Sequence, residues 1–213
     1  MRSHALRIIA IGCLLMLAAA APAQKRKAPF YVHPGKDEAL ATMPSVVARQ
    51  KCGNWAWAAA LEASLRAQDV SLYQTFWVLR LNRGELCLPD AGAPEQLVRF
   101  LESETWILDD GRKLNLKATY SPMLPHSVDD FILALRQNRL LILYWRGYAH
   151  LLVGMTYDEY LGPNNTRRFE VRTLRLLDPY RNPGDKDRVA TFTKGTDDIG
   201  EFTGMMQVQV IWQ

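Results

Sequence analysis

Residues 50–60, QKCGNWAWAAA, constrain the fold of this chain more than any other segment. A polar stretch leads directly into an alanine-rich run, and alanine has the highest helix propensity. Trp57, Leu61 and Leu65 follow at a spacing of four, which places them on one face of a helix. The sequence therefore predicts a helix over residues 58–68, with position 56 in its first turn.

The start of this helix is a suitable place for a catalytic nucleophile. A thiol at position 56 would lie at the positive end of the helix, which lowers its pKa and favours the thiolate. Gln50, on the incoming loop, could direct its amide at the negative charge that develops on an attacked carbonyl, together with a free N–H of the first turn. Position 56 is alanine, however, and supplies neither thiol nor proton.

The spacing of Gln50, position 56 and Trp57 resembles the catalytic helix entry of papain-like cysteine peptidases. In that family a Gln lies six residues before the nucleophilic Cys, which is followed by Trp and small residues. The resemblance is closest to compact bacterial secreted and effector-type members. It implies an α+β fold in which an N-terminal helical lobe packs on a C-terminal antiparallel β-sheet lobe, with a cleft between them. Ala56 at the nucleophile position is the departure from the pattern.

His150 and Asp178 are the candidates for the other triad positions. His150 begins an apolar strand that leads to Gly154, and Asp178 follows another predicted strand, directly before Pro179. A strand end can hold an imidazole within reach of a thiol, and a carboxylate can hold the second ring nitrogen. Each residue alone also fits an ordinary strand edge or turn. The resemblance implies these roles: Gln50 in the oxyanion hole, Ala56 at the nucleophile position, His150 as the base and Asp178 as its orienting partner.

The first 23 residues have the pattern of a secretory signal peptide. Arg2 and Arg7 precede an apolar run over residues 8–20, and Ala21-Pro22-Ala23 is a small-residue cleavage site before Gln24. The apolar run is short for a membrane span, so no stable membrane anchor is expected. The sequence thus predicts a secreted or periplasmic protein.

Charge and histidine spacing argue against two further classes. Removing Arg2 and Arg7 leaves 24 basic against 22 acidic residues, a net charge of +2, which gives no broad electrostatic reason to bind nucleic acid. His33 and His126 are predicted to be solvated. No His or Cys pair has the spacing of metal ligands, so neither a metal nor another cofactor is expected.

Two cysteines, Cys52 and Cys87, are left after the signal segment takes Cys13 away. An even count in an oxidising compartment predicts a disulfide between them, and the resemblance supports it because papain-like enzymes often tie the loop before the nucleophile to a later loop of the helical lobe. The alternative is that Cys52 is a displaced nucleophile. Gln50 is then only two residues away, and Cys52 precedes the helix.

The order of predicted elements is helices first and strands later, which is typical of α+β folds. Residues 24–42 are expected to be a flexible N-terminal arm, and residues 43–213 the papain-like domain. Within it, residues 43–138 are assigned to the helical lobe and residues 139–213 to the β lobe. Further helices are predicted after Ser71, from Pro94 and after Ser127; further strands are predicted around the Asp109–Arg112 turn and over 140–145, 150–157, 169–177, 189–192 and 206–212.

Three functions fit these observations. The first is a secreted pseudopeptidase, or an inactivated peptidase, that binds a peptide or protein in the cleft without cleaving it. The second is an active thiol enzyme, a peptidase or an acyl transferase, that uses Cys52. The third is a non-catalytic interaction protein of the cell envelope, in which the pattern of Gln50, His150 and Asp178 is a coincidence.

Overall fold

The structure is a computed structural model that describes residues 30–40, 49–82, 84, 87, 94–124, 128–161, 166–182 and 184–213, with residues 30–38 described by their backbone alone. The predicted signal peptide, the first residues of the predicted arm, His126 and the helix cap Ser127 lie outside the described residues, as does the side chain of His33.

Within this part of the chain, four helices and eight strands form an α+β fold, which confirms the predicted class. The helices are α1 (Ala56–Arg66), α2 (Gln74–Asn82), α3 (Pro94–Leu101) and α4 (Asp129–Arg136). The strands are β1 (Phe30–Leu40), β2 (Trp106–Ile107), β3 (Lys113–Ser121), β4 (Leu141–Trp145), β5 (Tyr148–Leu161), β6 (Arg167–Leu177), β7 (Val189–Thr193) and β8 (Phe202–Trp212).

All eight strands belong to one antiparallel sheet: seven follow the order β2-β3-β8-β4-β5-β6-β7, and β1 pairs with β5 beside this path. The long strand β5 is its centre. One edge of β5 pairs with β6, and the other is shared by β4, which pairs with residues 148–152, and β1, which pairs with residues 154–161. The strands β2 and β3 come from residues assigned to the helical lobe, and they join the sheet through β8.

Helices cover both faces of this sheet. Side chains of a strand alternate between the two faces, and along β5 Ala149 and Leu151 pack in the cluster that contains α1, α2 and α3. Leu152 packs in the opposite cluster, which contains α4. In β4, Ile142 and Leu143 divide in the same way between the two clusters. The continuous apolar runs in the sequence thus correspond to strands that are buried on both faces.

Residues 30–40 differ from the expected flexible arm, because they form the edge strand β1. Register shifts interrupt the pairing with β5 between Tyr31 and His33 and between His33 and Asp37. These irregularities, next to Pro34 and Gly35, break the two-residue period that marks a strand in a sequence. The backbone of β1 pairs with residues 154–161 of β5, and this distant partner cannot be recognised from the sequence of residues 30–40 alone.

The helix starts also show what tertiary contacts add. Helix α1 begins at Ala56, two residues before the predicted start, and position 56 is in the first turn as predicted. Helix α2 begins at Gln74 rather than directly after Ser71. The backbone N–H of Gln74 donates to the Glu62 carboxylate at 2.8 Å, so a side chain from α1 satisfies this helix start. No helix among the described residues is long and apolar enough to cross a membrane.

Replacing Leu151 with Ala is expected to destabilise the fold by about 2–5 kcal/mol, because Leu151 is fully buried between α1 and the sheet. Leu133→Ala on α4, where the side chain is 49% exposed, is the matched control and should change the free energy of unfolding by about 0.5 kcal/mol or less. Urea denaturation of both variants measures the difference. Equal losses would mean that β5 is not the core strand.

Candidate functional site

A polar cleft of about 430 Å³ lies at the end of the sheet where β5 begins and β6 ends. Three segments distant in sequence meet there: the loop before α1, the start of β5 and the loop after β6. The lining residues are Gln50, Gly53, Asn54, Tyr148, His150, Asp178, Tyr180 and Arg181. Gln50, His150 and Asp178, all chosen from the sequence, therefore line the same cleft.

His150 is positioned by a tight hairpin. The connection between β4 and β5 is only Arg146-Gly147, and both residues have positive φ, at 51° and 81°, as a two-residue type I′ turn requires. This turn fixes the register that pairs His150 with Leu143. The His150 side chain is 7% exposed and its ring lies edge-on to Trp145, with 5.5 Å between the ring centroids.

The hydrogen bond that His150 makes shows which of its two ring nitrogens carries a hydrogen. Its Nδ1 lies 3.0 Å from the carbonyl oxygen of Tyr148. A carbonyl oxygen only accepts, so Nδ1 carries the hydrogen and Nε2 keeps its lone pair. Burial lowers the pKa of His150 below its ordinary value, against the opposing influence of the Tyr148 hydrogen bond and the Asp178 carboxylate. The ring is therefore a neutral imidazole at neutral pH, with Nε2 as an acceptor.

Asp178 influences His150 by its charge, while its own hydrogen bonds go elsewhere. Its Oδ1 accepts the backbone N–H of Tyr180 at 2.8 Å, and its Oδ2 lies 3.8 Å from the guanidinium of Arg181. The ring nitrogen that was predicted to donate to Asp178, Nδ1, donates to the Tyr148 carbonyl instead. The negative charge of Asp178 nevertheless acts to raise the pKa of His150.

Gln50 is 7% exposed and holds the loop that forms one wall of the cleft. Its side-chain nitrogen donates to the carbonyl oxygens of Cys52 and Gly53, both at 3.0 Å. An amide NH₂ has two hydrogens, and both are used here. Its backbone N–H donates to the carbonyl oxygen of Pro179 at 2.9 Å. This hydrogen bond joins the loop before α1 to the loop after β6. Gln50 could donate a hydrogen bond in an oxyanion hole only if it released one of its two carbonyl partners.

A second glutamine, Gln74, fixes the same loop from behind, and no local motif in the sequence marks this role. Its Oε1 accepts the N–H of Lys51 at 2.9 Å, and its Nε2 donates to the carbonyl of Arg49 at 3.0 Å. Gln74 is held in turn by Glu62, which is buried and forms an ion pair with Arg66 at 3.0 Å. A buried acid within the apolar face of α1 is the one signal that could have pointed to this network.

The predicted disulfide between Cys52 and Cys87 is confirmed. It ties the cleft loop to the segment after α2, and the Asn54 side-chain amide donates to the Cys87 carbonyl at 3.4 Å as a further link. A disulfide sulfur carries no thiolate, which is the nucleophilic form of cysteine. The oxidised protein therefore offers no thiolate at Cys52, which the second hypothesis of an active thiol enzyme requires.

Ala56 is the first residue of α1 and is 8% exposed, but it is not among the residues that line the cleft. It packs in the cluster that includes Ala149 and Leu151, the two neighbours of His150 on β5. Because side chains alternate along a strand, His150 projects from the face of β5 opposite to these two residues.

The described residues contain no group of three His, Cys, Asp or Glu side chains that could hold a metal ion. What the cleft offers is a neutral ring nitrogen, a carboxylate already bonded to its own loop, and two exposed tyrosines. These groups can form hydrogen bonds to a ligand. The described residues that line the cleft include no cysteine, serine or threonine.

No known protein-family model matches this chain, and no curated protein is significantly similar to it. The resemblance to papain-like peptidases therefore rests on residues 50–60, His150 and Asp178 alone.

His150→Gln is expected to change how stability depends on pH. In the unfolded chain His150 takes up a proton near its ordinary pKa of 6.5, whereas the folded protein binds that proton only at lower pH. The unfolded state thus binds more protons as the pH falls below that value, so His150 costs stability there. Glutamine does not titrate.

The free energy of unfolding of the wild type, minus that of His150→Gln, should therefore decrease as the pH is lowered from about 7.5 to about 5. Urea denaturation of both proteins at a series of pH values measures this difference. A constant difference across the range would show that His150 titrates normally in the folded state.

Proposed function

We propose that this chain is a secreted, non-cleaving relative of papain-like cysteine peptidases that binds a peptide or protein segment in its polar cleft. The proposal rests above all on the shared cleft of Gln50, His150 and Asp178, which come from three distant segments. Alanine at position 56 and the disulfide at Cys52 leave this site without a thiol. Binding without cleavage is the activity that such a site can support.

The polar groups of the cleft suit a peptide backbone. His150 Nε2 is an acceptor, and a peptide N–H is a donor that can bind it. Tyr148 and Tyr180 are 61% and 52% exposed and can pack against side chains of a ligand. A purely structural role would not require a buried histidine with an open acceptor in a cleft of this size.

Secretion is part of the same proposal. It is supported by the signal-peptide pattern over residues 1–23 and by the Cys52–Cys87 disulfide, since such bonds persist in oxidising compartments. A peptide or protein ligand would accordingly be met outside the cytoplasm.

Gly53→Trp should abolish peptide binding while leaving the fold intact. Gly53 lines the cleft, and a Cβ built on it meets no atom within 4 Å, so a bulky ring occupies the space of the ligand rather than a packed core. Gly53→Ala is the matched control, because its small side chain leaves the cleft open.

Binding of randomised, end-blocked octapeptide pools to the wild type and both variants is measured by fluorescence anisotropy, and circular dichroism checks the fold. Equal peptide binding by wild type and Gly53→Trp would place the binding site elsewhere. Absence of binding by the wild type would refute the proposed function.

Ala56→Cys is expected to fold and to remain without peptidase activity. His150 projects from the face of β5 opposite to the residues that pack with Ala56, and both amide hydrogens of Gln50 are engaged by the loop. A thiol alone would thus lack its base and its oxyanion donor. The assay is hydrolysis of fluorogenic peptides with and without a thiol-blocking reagent. Thiol-dependent cleavage would show instead that the protein is a peptidase lacking only its nucleophile.

A further inference from the structure

A second hollow, of about 560 Å³, adjoins the cleft and shares Gln50, Gly53 and Tyr180 with it. Its remaining wall carries two cations, Arg49 and Lys51. The two hollows form one continuous surface around the loop that precedes α1. A ligand segment bound beside His150 would therefore extend along these two basic side chains.

Neither cation is neutralised by a carboxylate among the described residues. The Arg49 guanidinium donates to the Tyr180 carbonyl at 2.9 Å and to Asn182 Oδ1 at 3.3 Å, and it lies over the Tyr180 ring, 5.3 Å from its centroid. All of these partners are uncharged. Lys51 is exposed, and none of the ion pairs within the described part of the chain includes it.

The other charged residues around the two hollows do not offset the positive charge of Arg49 and Lys51. Asp178 is the one carboxylate among the described lining residues, and Arg181 lies beside it. Arg181 also pairs with Asp187 at 3.1 Å. Helix α1, which follows this loop, has no acidic residue in its first turn.

We propose that the hollow beside the cleft accepts acidic side chains, so that the protein selects peptide segments carrying Glu or Asp. This inference rests on the proposed peptide-binding function. The backbone of the segment lies against His150, whose buried ring presents an open Nε2 acceptor to the cleft, and its carboxylates face Arg49 and Lys51. The ligand thus supplies the negative charge that the described part of the chain does not place beside these two cations.

The test compares two end-blocked, fluorescein-labelled octapeptide pools that are identical except at three fixed positions, which hold Glu in one pool and Gln in the other. The full chain should bind the Glu pool about tenfold more tightly at low ionic strength, since two exposed charge pairs contribute modestly each. The preference should shrink as salt is added, because screening weakens exposed pairs.

Lys51→Glu is the decisive variant. The Lys51 side chain makes no hydrogen bond in the described part of the chain, and only its backbone N–H binds Gln74, so the charge is reversed without loss of a structural contact. The preference for the Glu pool, expressed as the ratio of the two pool affinities, should fall to about threefold or less. Lys117→Glu, at an exposed position on β3, makes the same charge change away from the cleft and should keep the preference.

The outcomes separate this inference from the proposed function. Equal binding of both pools by the wild type would overturn the acidic preference while peptide binding stands. Binding of neither pool would refute both. An equal loss of preference in Lys51→Glu and Lys117→Glu would attribute the effect to net charge rather than to the hollow, and would also overturn the inference.

Discussion

The pairing of β5 is the interaction on which the rest of the structure depends. This strand shares backbone hydrogen bonds with β6 along one edge and with β4 and then β1 along the other, and both of its faces are buried. Its register therefore cannot slip by one residue without exchanging the two apolar clusters. That constraint fixes the orientation of His150 relative to α1, since the same alternation that packs Leu151 against the helices directs His150 to the other side.

Buried polar contacts then decide the shape of the cleft. The loop before α1 has no regular structure, and a loop next to the core must have its backbone groups satisfied. Gln50 and Gln74 provide four of these hydrogen bonds, and Glu62 anchors Gln74 from within α1. A hydrogen bond inside the protein is expensive to leave unmade, so these contacts oppose rearrangement of the loop. A loop that is already held in place loses less conformational entropy on binding the proposed ligand.

Local sequence patterns predicted most elements and the identity of three cleft residues. The alanine-rich run gave α1, the apolar runs gave β4 and β5, and the count of cysteines gave the disulfide. The features that could not be predicted from local patterns depend on contacts with residues distant along the chain. The strand β1 is recognisable only through its pairing with β5, and the start of α2 depends on Glu62. The bonding of Gln50 and Asp178 likewise follows from loop carbonyls and N–H groups that no spacing rule predicts.

The chemistry of the cleft follows from what a neutral histidine can do without a thiol beside it. A buried imidazole that already donates through Nδ1 keeps one acceptor, and its lowered pKa makes protonation costly. Such a group accepts a hydrogen bond from an amide N–H more readily than it pairs with a carboxylate, which would require the ring to become charged. Negative groups on the proposed ligand are consequently better placed beside Arg49 and Lys51, whose charged side chains are exposed. A peptide with backbone amides and acidic side chains satisfies both requirements at once, and a free carboxylate alone satisfies only the second.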